Sequence, residues 1–438
     1  CDFWFQLDHQ WQRQCFYDPD GMFRYRRLQR SMADDQVRVG DITVLNWSTS
    51  PVGCDDRQPD PDAALGCGND YVPGVLVGIR RAERQEQIQR ACDRTQAYVH
   101  FLQTETGDLK PRGDLTWTAN GIALAPYIRE ARRGVSLTTI RHQDVAKKFF
   151  PDAVRARTFG DSVGIGQYHY LDMHPNDAPG QVELGDGHDA LPFTISLGAL
   201  IPERTDGLIL SSKSIGTTHI TNAAYRMHPA EWAIGEAGGH LAAFALRANV
   251  NVRDVAAHHT YRLQHQLTQA GIPIVWLNDV SHDDPDFAAI QFLATVLLSQ
   301  APSTRGGQRS VDLAQPEANI PSVDLDRGFM DETCLGFGGD AIATPQLLAT
   351  ALTALICSHR DLAVPQDISI SLQSWAKQNL LTPIQALDPH QPLTRHLLSQ
   401  LFQILEPQTR ARLAAALPEH QSALCRRDIA RILSALVN

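Results

Sequence analysis

No apolar stretch in these 438 residues approaches the roughly 20 that a membrane-spanning helix needs, which argues against a helical span. No two of the eight cysteines form a CxxC or stand at zinc-like spacing, so a structural zinc centre is not indicated. Positive charge is in deficit, with 39 Lys and Arg against 49 Asp and Glu, a net −10 that speaks against a nucleic-acid partner. The chain opens "CDFWFQLDHQ", with neither a Met nor a basic-then-apolar leader. It is therefore expected to be cut from something longer, by processing or by truncation of the reading frame.

The rest of the composition is that of an ordinary soluble globular protein, 43% hydrophobic and 20% charged, and the length suggests two or three domains. Cys54 and Cys67 flank the loop "CDDRQPDPDAALGC". They could close a disulfide or stay reduced, and cysteine usage leaves the compartment open. "FRYRRLQR" (Phe23–Arg30) reads as one solvated strand edge, and "VRVGDITVLNWS" as short β pieces among polar loops. From Val77 to about Thr104, Ile79, Ala82, Ile88, Ala91, Tyr98, Phe101 and Leu102 recur close to helical spacing, which predicts one long amphipathic helix. Strand signals return in "FGDSVGIGQYHYLDMH" and "LPFTISLGALIP", and "GLILSS" (Gly207–Ser212) reads as a short buried strand. After Asn249 helical apolar runs dominate. "ATPQLLATALTALI", "PLTRHLLSQLFQIL" and "LCRRDIARILSALV" resemble one another enough to suggest a degenerate helical repeat.

Three stretches carry chemistry. In "GTTHITNAAYRMHPAEWAIGEAGGHLAA" (Gly216–Ala243) a Gly/Thr loop feeds a helix, with Pro229 in its first turn and Thr221 or His228 as candidate caps. A helix N-terminus offers free N–H groups and the positive end of a dipole, which suits an anionic oxygen or a polarised carbonyl. Gly235, Ala237, Gly238, Gly239, Ala242 and Ala243 leave that helix nearly bare. Each helical Gly costs about 0.5–1 kcal/mol relative to Ala, so the bare face admits either a close ligand or tight helix–sheet packing. In "YHYLDMHP" (Tyr168–Pro175), Asp172 and His174 share a face if the segment is a strand and His169 takes the other. A metal would then need a further ligand from elsewhere, and a polar strand end lining a pocket is the better reading. In "NGIALAPYIREARRG" (Asn120–Gly134), Arg129, Arg132 and Arg133 share a face if helical, as for contact with an anion.

At these segments the chain resembles FAD-dependent oxidoreductases of the xanthan-lyase-like kind. The resemblance rests on "PYIREARR", "YHYLDMHP" and "GTTHITNAAYRMHPAEWAIGEAGG", supported by "LNWSTS…GNDY" and "LPFTISLGALIP", over roughly residues 40–250. It implies an FAD cofactor, with the strand–loop–helix after Gly207 returning to the nucleotide domain and a helix N-terminus facing the flavin pyrimidine. Two departures stand out: no strand–GxGxxG–helix opens the chain to hold the pyrophosphate, and Ala131 stands where the pattern has Ser. The tail, with "WLNDVSHDDPDFAAIQFLATVLL" and the Leu-rich repeats, is similar to degenerate S-layer-homology modules, which implies a cell-wall polymer as partner and a cell-envelope or periplasmic setting.

The expectation is an α/β fold, a partial Rossmann-type flavoprotein. Its divisions are a mixed-sheet substrate domain over residues 1–205, a return segment of the FAD domain over 206–250 and a helical tail over 251–438. The resemblance implies Gly216, Thr217, Thr218, His219, Ile220, Asn222, Arg226 and Gly235 at the cofactor. It also implies His219, Arg129 and His174 in hydride transfer between FAD and a small-molecule or saccharide-like substrate. Two other readings stay in view: a cofactor-free envelope-binding module, and a metal-dependent hydrolase built on Asp172 and His174.

Overall fold

The computed structural model describes residues 27–30, 38–44, 76, 78–106, 110–125, 132–151, 153–169, 171, 189–299, 348, 384, 387–388, 391–401, 403, 407–417 and 423–437. The fold is mixed α/β, with many helices and two small two-stranded sheets among these residues. The chain divides into two compact units, Cys1–Ala131 with His174–Glu183, and Arg132–Met173 with Leu184–Asn438.

In the first unit β1 (Arg27–Gln29) pairs antiparallel with β2 (Ile42–Thr43), and Arg27 meets Asp41 at 3.7 Å. The basic run at Phe23–Arg30 thus ends in a largely exposed strand, as its pattern suggested. The long helix is present as α1 (Arg81–Thr106). Its amphipathic character is weaker than expected. Ile88 and Ala91 are half-buried, Ala82 is exposed, and no described side chain of α1 is buried. Ion pairs such as Arg90–Glu86 at 2.9 Å, one turn apart, lie on its solvent side. A short turn of helix, α2 (Gly113–Thr116), follows.

The second unit begins with extended chain. Arg132–Gly134 are not helical, so the arginine face expected there does not form over these residues. Gly134 N instead donates to Ser214 O at 2.8 Å, and Leu137 N to Ile201 O at 3.0 Å. After one turn, α3 (His142–Val145), comes β3 (Ser162–Gly166), which pairs antiparallel with β4 (Phe193–Ser196). Both strands were legible as apolar, β-branched runs. β3 stops at Gly166, before "YHYLDMHP", and Asp172 and His174 lie outside the described residues. The expected strand at "GLILSS" is not one: Gly207 turns with φ +66°, Leu208–Ser211 run on without a ladder, and Ser212–Ser214 form a 3-10 turn. Among the described residues its only ladder-like tie is Leu210 N to Leu200 O at 2.7 Å, too little to define a strand.

Helices complete the unit: α4 (His219–Tyr225), α5 (His228–Ala248), α6 (Val252–His258), α7 (Thr260–Gln269), α8 (Phe287–Ser299), α9 (Arg395–Leu401), α10 (Pro407–Ala416) and α11 (Arg426–Val437). Among the described residues after Asn249 the expected helical character is present. None of the described helices is long and apolar enough to cross a membrane. Two apolar cores form. One gathers residues from Ile140 to Ile274, including β3, β4 and the buried faces of α5 to α7. The other runs from Val275 to Leu433 and joins α8 to α9, α10 and α11. Cys54 and Cys67 lie outside the described residues, while Cys92 and Cys425 are free thiols.

Candidate functional site

The Gly216–Arg226 segment is held from beneath by its own chain. Ile140 N donates to Gly216 O at 2.8 Å and Thr218 N to Ile140 O at 3.0 Å, a parallel bridge that pins both sides of Thr217. A Cβ at Gly216 would overlap Ser136 Oγ and come within 2.6 Å of Thr138 O. The glycine is thus required by the extended 136–140 segment, which leaves no room for a side chain. Thr218 caps α4, with Thr221 as its reciprocal partner, and Thr221 Oγ1 also donates to Ile140 O at 2.8 Å.

This corrects two expectations. Neither Thr221 nor His228 caps the Pro229 helix, and the capping side chain of this segment is Thr218, at the start of α4. The loop before Pro229 also contains a helix of its own, so His219 begins α4 rather than lying in a loop before the longer helix. The longer helix α5 starts at His228 with Pro229 in its first turn, as the sequence indicates, but its N-cap is Met227 and no side-chain bond caps it. α4 is buried nearly all round: Thr221, Asn222, Ala223, Ala224 and Tyr225 are all buried.

Two tiers result. The lower tier is Gly216, Thr217, Asn222 and Arg226, all buried. Asn222 Nδ2 donates to Lys213 O and to Thr217 Oγ1, each at 3.2 Å, which ties the 3-10 turn to α4. Asn222 Oδ1 is buried with no hydrogen-bond partner. Tyr225 lies alongside, its ring 4.2 Å from that of Phe193 and its hydroxyl donating to Thr194 O at 2.8 Å. Burial, with the nearby Asp144 charge, pushes the Tyr225 phenol well above its ordinary pKa, so it remains a donor. The upper tier is Thr218, His219 and Ile220, half-buried, beside half-buried Ser212, Lys213 and Ser214. Ser212 holds φ +60°, an uncommon conformation for a residue with a side chain. Sequence reasoning did not single out Ser136, Thr138 or Ser212; a Ser-rich turn directly before Gly216 was the available signal.

The bare helix is sorted by face. Gly238 is buried, and a Cβ there would lie 2.7 Å from Ser211 Oγ and 3.5 Å from Ile209 Cγ2. That side realises tight packing. Gly235 and Gly239 are exposed, with nothing within 4 Å of a Cβ at either. Gly235 stands two turns into α5. Arg129 and His174 lie outside the described residues. No group of three metal-ligating side chains occurs among the described residues.

Tested against the FAD that the resemblance implies, the chain offers a partial fit. The upper tier places the His219 imidazole in the first turn of α4, on a segment fixed from below, a group that suits the carbonyl-rich edge of a flavin. The lower tier is occupied with holding the loop. Within it Asn222 Oδ1 is a buried polar atom left without a hydrogen-bond partner. Nothing among the described residues corresponds to a phosphate-binding glycine turn.

No curated protein and no solved structure shows a significant match to this chain. Residues 6–267, more than half of it, match the family described as FAD dependent oxidoreductase. That span contains β3, β4, the two tiers and α5. The chain belongs to the FAD-dependent oxidoreductase family, and its cofactor is FAD.

Proposed function

We propose that the chain transfers hydride between a small, hydroxyl-bearing or saccharide-like substrate and FAD, with His219 moving the proton and Arg129 and His174 orienting the substrate. FAD supplies a two-electron acceptor. The chain supplies the rest. The observation that carries the reading is the mount of α4: Thr218, His219 and Ile220 are half-exposed at its start, just after a segment whose backbone is locked to Ile140 on both sides of Thr217. A proton-transfer group needs such a fixed mount, since its benefit falls steeply with misplacement. An imidazole is suited to take the substrate hydroxyl proton near neutrality. The planar fork of an arginine is suited to an anionic or vicinally hydroxylated substrate. Placement in the xanthan-lyase-like subfamily, and a tail that binds a cell-wall polymer, belong to the same reading and rest on motifs alone.

The test is His219→Ala in protein loaded with FAD. Flavin content should be retained while reduction by substrate slows about 10²-fold or more, the usual size of a general acid–base contribution. Stopped-flow reduction at the parent rate would remove His219 from the chemistry.

A further inference from the structure

Among the described residues β3 has one strand partner, β4. The hydrogen bonds at its two ends are completed by side chains. Gln264 Nε2, from α7, donates to Gly160 O and Ser162 O at 2.9 Å each. Ser162 Oγ donates to Ile274 O at 2.6 Å. At the other end the Trp276 indole N–H donates to Gly166 O at 3.1 Å. The segment from Ile272 to Trp276 is therefore bonded to both ends of β3, although Ile274 and Trp276 lie beyond the family-matched residues.

That segment is in turn held by the C-terminal module. The change of core falls between Ile274 and Val275. The N–H groups of these two residues both donate to one acceptor, Gln291 Oε1 of α8, at 2.9 Å each. Gln291 is 2% exposed, so neither N–H has a ready alternative in water. The turn leading into α8 is itself fastened to α11: Arg431 reaches both oxygens of Asp286 at 2.6 Å, and Arg427 reaches Asp284 at 2.5 Å. A continuous path of named bonds thus runs from the last helix to the end of β3. From Gly166 the chain passes directly to Tyr168 and His169, the start of the polar "YHYLDMHP" stretch.

We infer that the C-terminal helical module is a fixed intrachain partner of the oxidoreductase domain. Through Gln291 and Trp276 it holds the Ile272–Trp276 segment on β3 and so sets where the strand's exit, Gln167–His169, leaves the sheet. Trp276 and Gln291 are positioning residues for that exit. The inference goes beyond the redox reading and does not depend on it, because its test needs neither substrate nor flavin.

The test is amide hydrogen exchange on the full chain, comparing the parent with Trp276→Phe, which keeps a ring and loses the donor, and Gln291→Met, which keeps length and loses the acceptor. Exchange should rise about tenfold at residues 163–169 and 274–276, while β4 and the buried side of α5 keep parental protection. A uniform rise across the domain would mean general destabilisation and would overturn the inference, as would unchanged exchange at 163–169. The parent alone gives a further check if a variant does not fold. Amides of residues 274–276 exchanging as fast as unstructured chain would overturn it as well.

Discussion

The two cores of the second unit secure their buried polar groups with different chemistry. In the oxidoreductase core the long-range buried ties are mainly neutral: Thr221 to Ile140 O, Tyr225 to Thr194 O, Ser162 to Ile274 O, and Gln264 to Gly160 O and Ser162 O. In the C-terminal module the ties between α11 and the turn leading into α8 are ionic, joining Asp284 and Asp286 to Arg427 and Arg431, with Asp428 also meeting Arg431. Neutral ties between backbone and side chain hold segments close and leave little room; buried ionic ties also need good geometry but depend in addition on the charge state. The oxidoreductase core should therefore be sensitive to added volume, and the module to lost charge.

Gly216→Ala should give the largest effect. The new methyl must displace Ser136 and the 138 carbonyl, and overpacking of this kind costs about 3 kcal/mol at the upper end of its usual range. Chemical denaturation should show the loss, and amide exchange should localise it to β3, β4 and α4 while α11 keeps its protection. Parental stability would mean that the core can expand after all, and would break the contrast.

Arg431→Met comes next. It leaves Asp286 and Asp428, both buried, without a shared cation, and should cost about 2–3 kcal/mol. This lies below the full range for a buried pair because the guanidinium is 33% exposed. The loss should appear as faster exchange in α8 and α11. An equal loss in β4 would show that the two cores unfold as one.

Acid should sharpen the contrast by smaller steps of opposite sign. Burial raises the Asp161 carboxyl, only partly offset by bonds from Gly198 N and Ser196 Oγ. Its protonated form is the one the fold favours, so its contribution is complete below the ordinary carboxylate value of about 4 and is lost as pH rises through its elevated value. At Asp284 burial again pushes upward, but the Arg427 bond and further hydrogen bonding and charge hold the carboxyl below its ordinary value. That contribution is present above about pH 4 and is lost as pH falls through the depressed value. Protection factors corrected for intrinsic exchange, followed from pH 7 to 3, should fall in α11 before β3 and β4. The reverse order would refute the assignment of ionic ties to the module.

Much of the architecture was legible locally. The helix of Arg81–Thr106, the strands Ser162–Gly166 and Phe193–Ser196, the Pro229 start of α5 and the helical character after Asn249 follow from periodicity, β-branching and capping chemistry. The errors share a cause. "GLILSS" has strand composition, but a strand also needs partners, and the described structure gives Leu208–Ser211 only the Leu210 tie to Leu200. Arg132 and Arg133 fit a helical spacing, yet Gly134 is drawn into extended pairing with Ser214. In the candidate site the motif located the segment, but not α4 within it or the two tiers.

The sequence by itself determined the family, through a long motif whose residue types and spacing need no coordinates to be compared, and with the family came the FAD cofactor. It also determined the long Arg81–Thr106 helix, the Pro229 helix, the helical character of the tail and the two principal strands, because those depend on neighbours a few positions apart. Tertiary structure alone decided which glycines are compulsory. Gly216 and Gly238 face Ser136 and Ser211, distant in sequence, while Gly235 and Gly239 face open space. It also decided that Gln291 and Trp276 join two cores, since a hydrogen bond spanning 16 or 110 residues leaves no periodic trace in the chain.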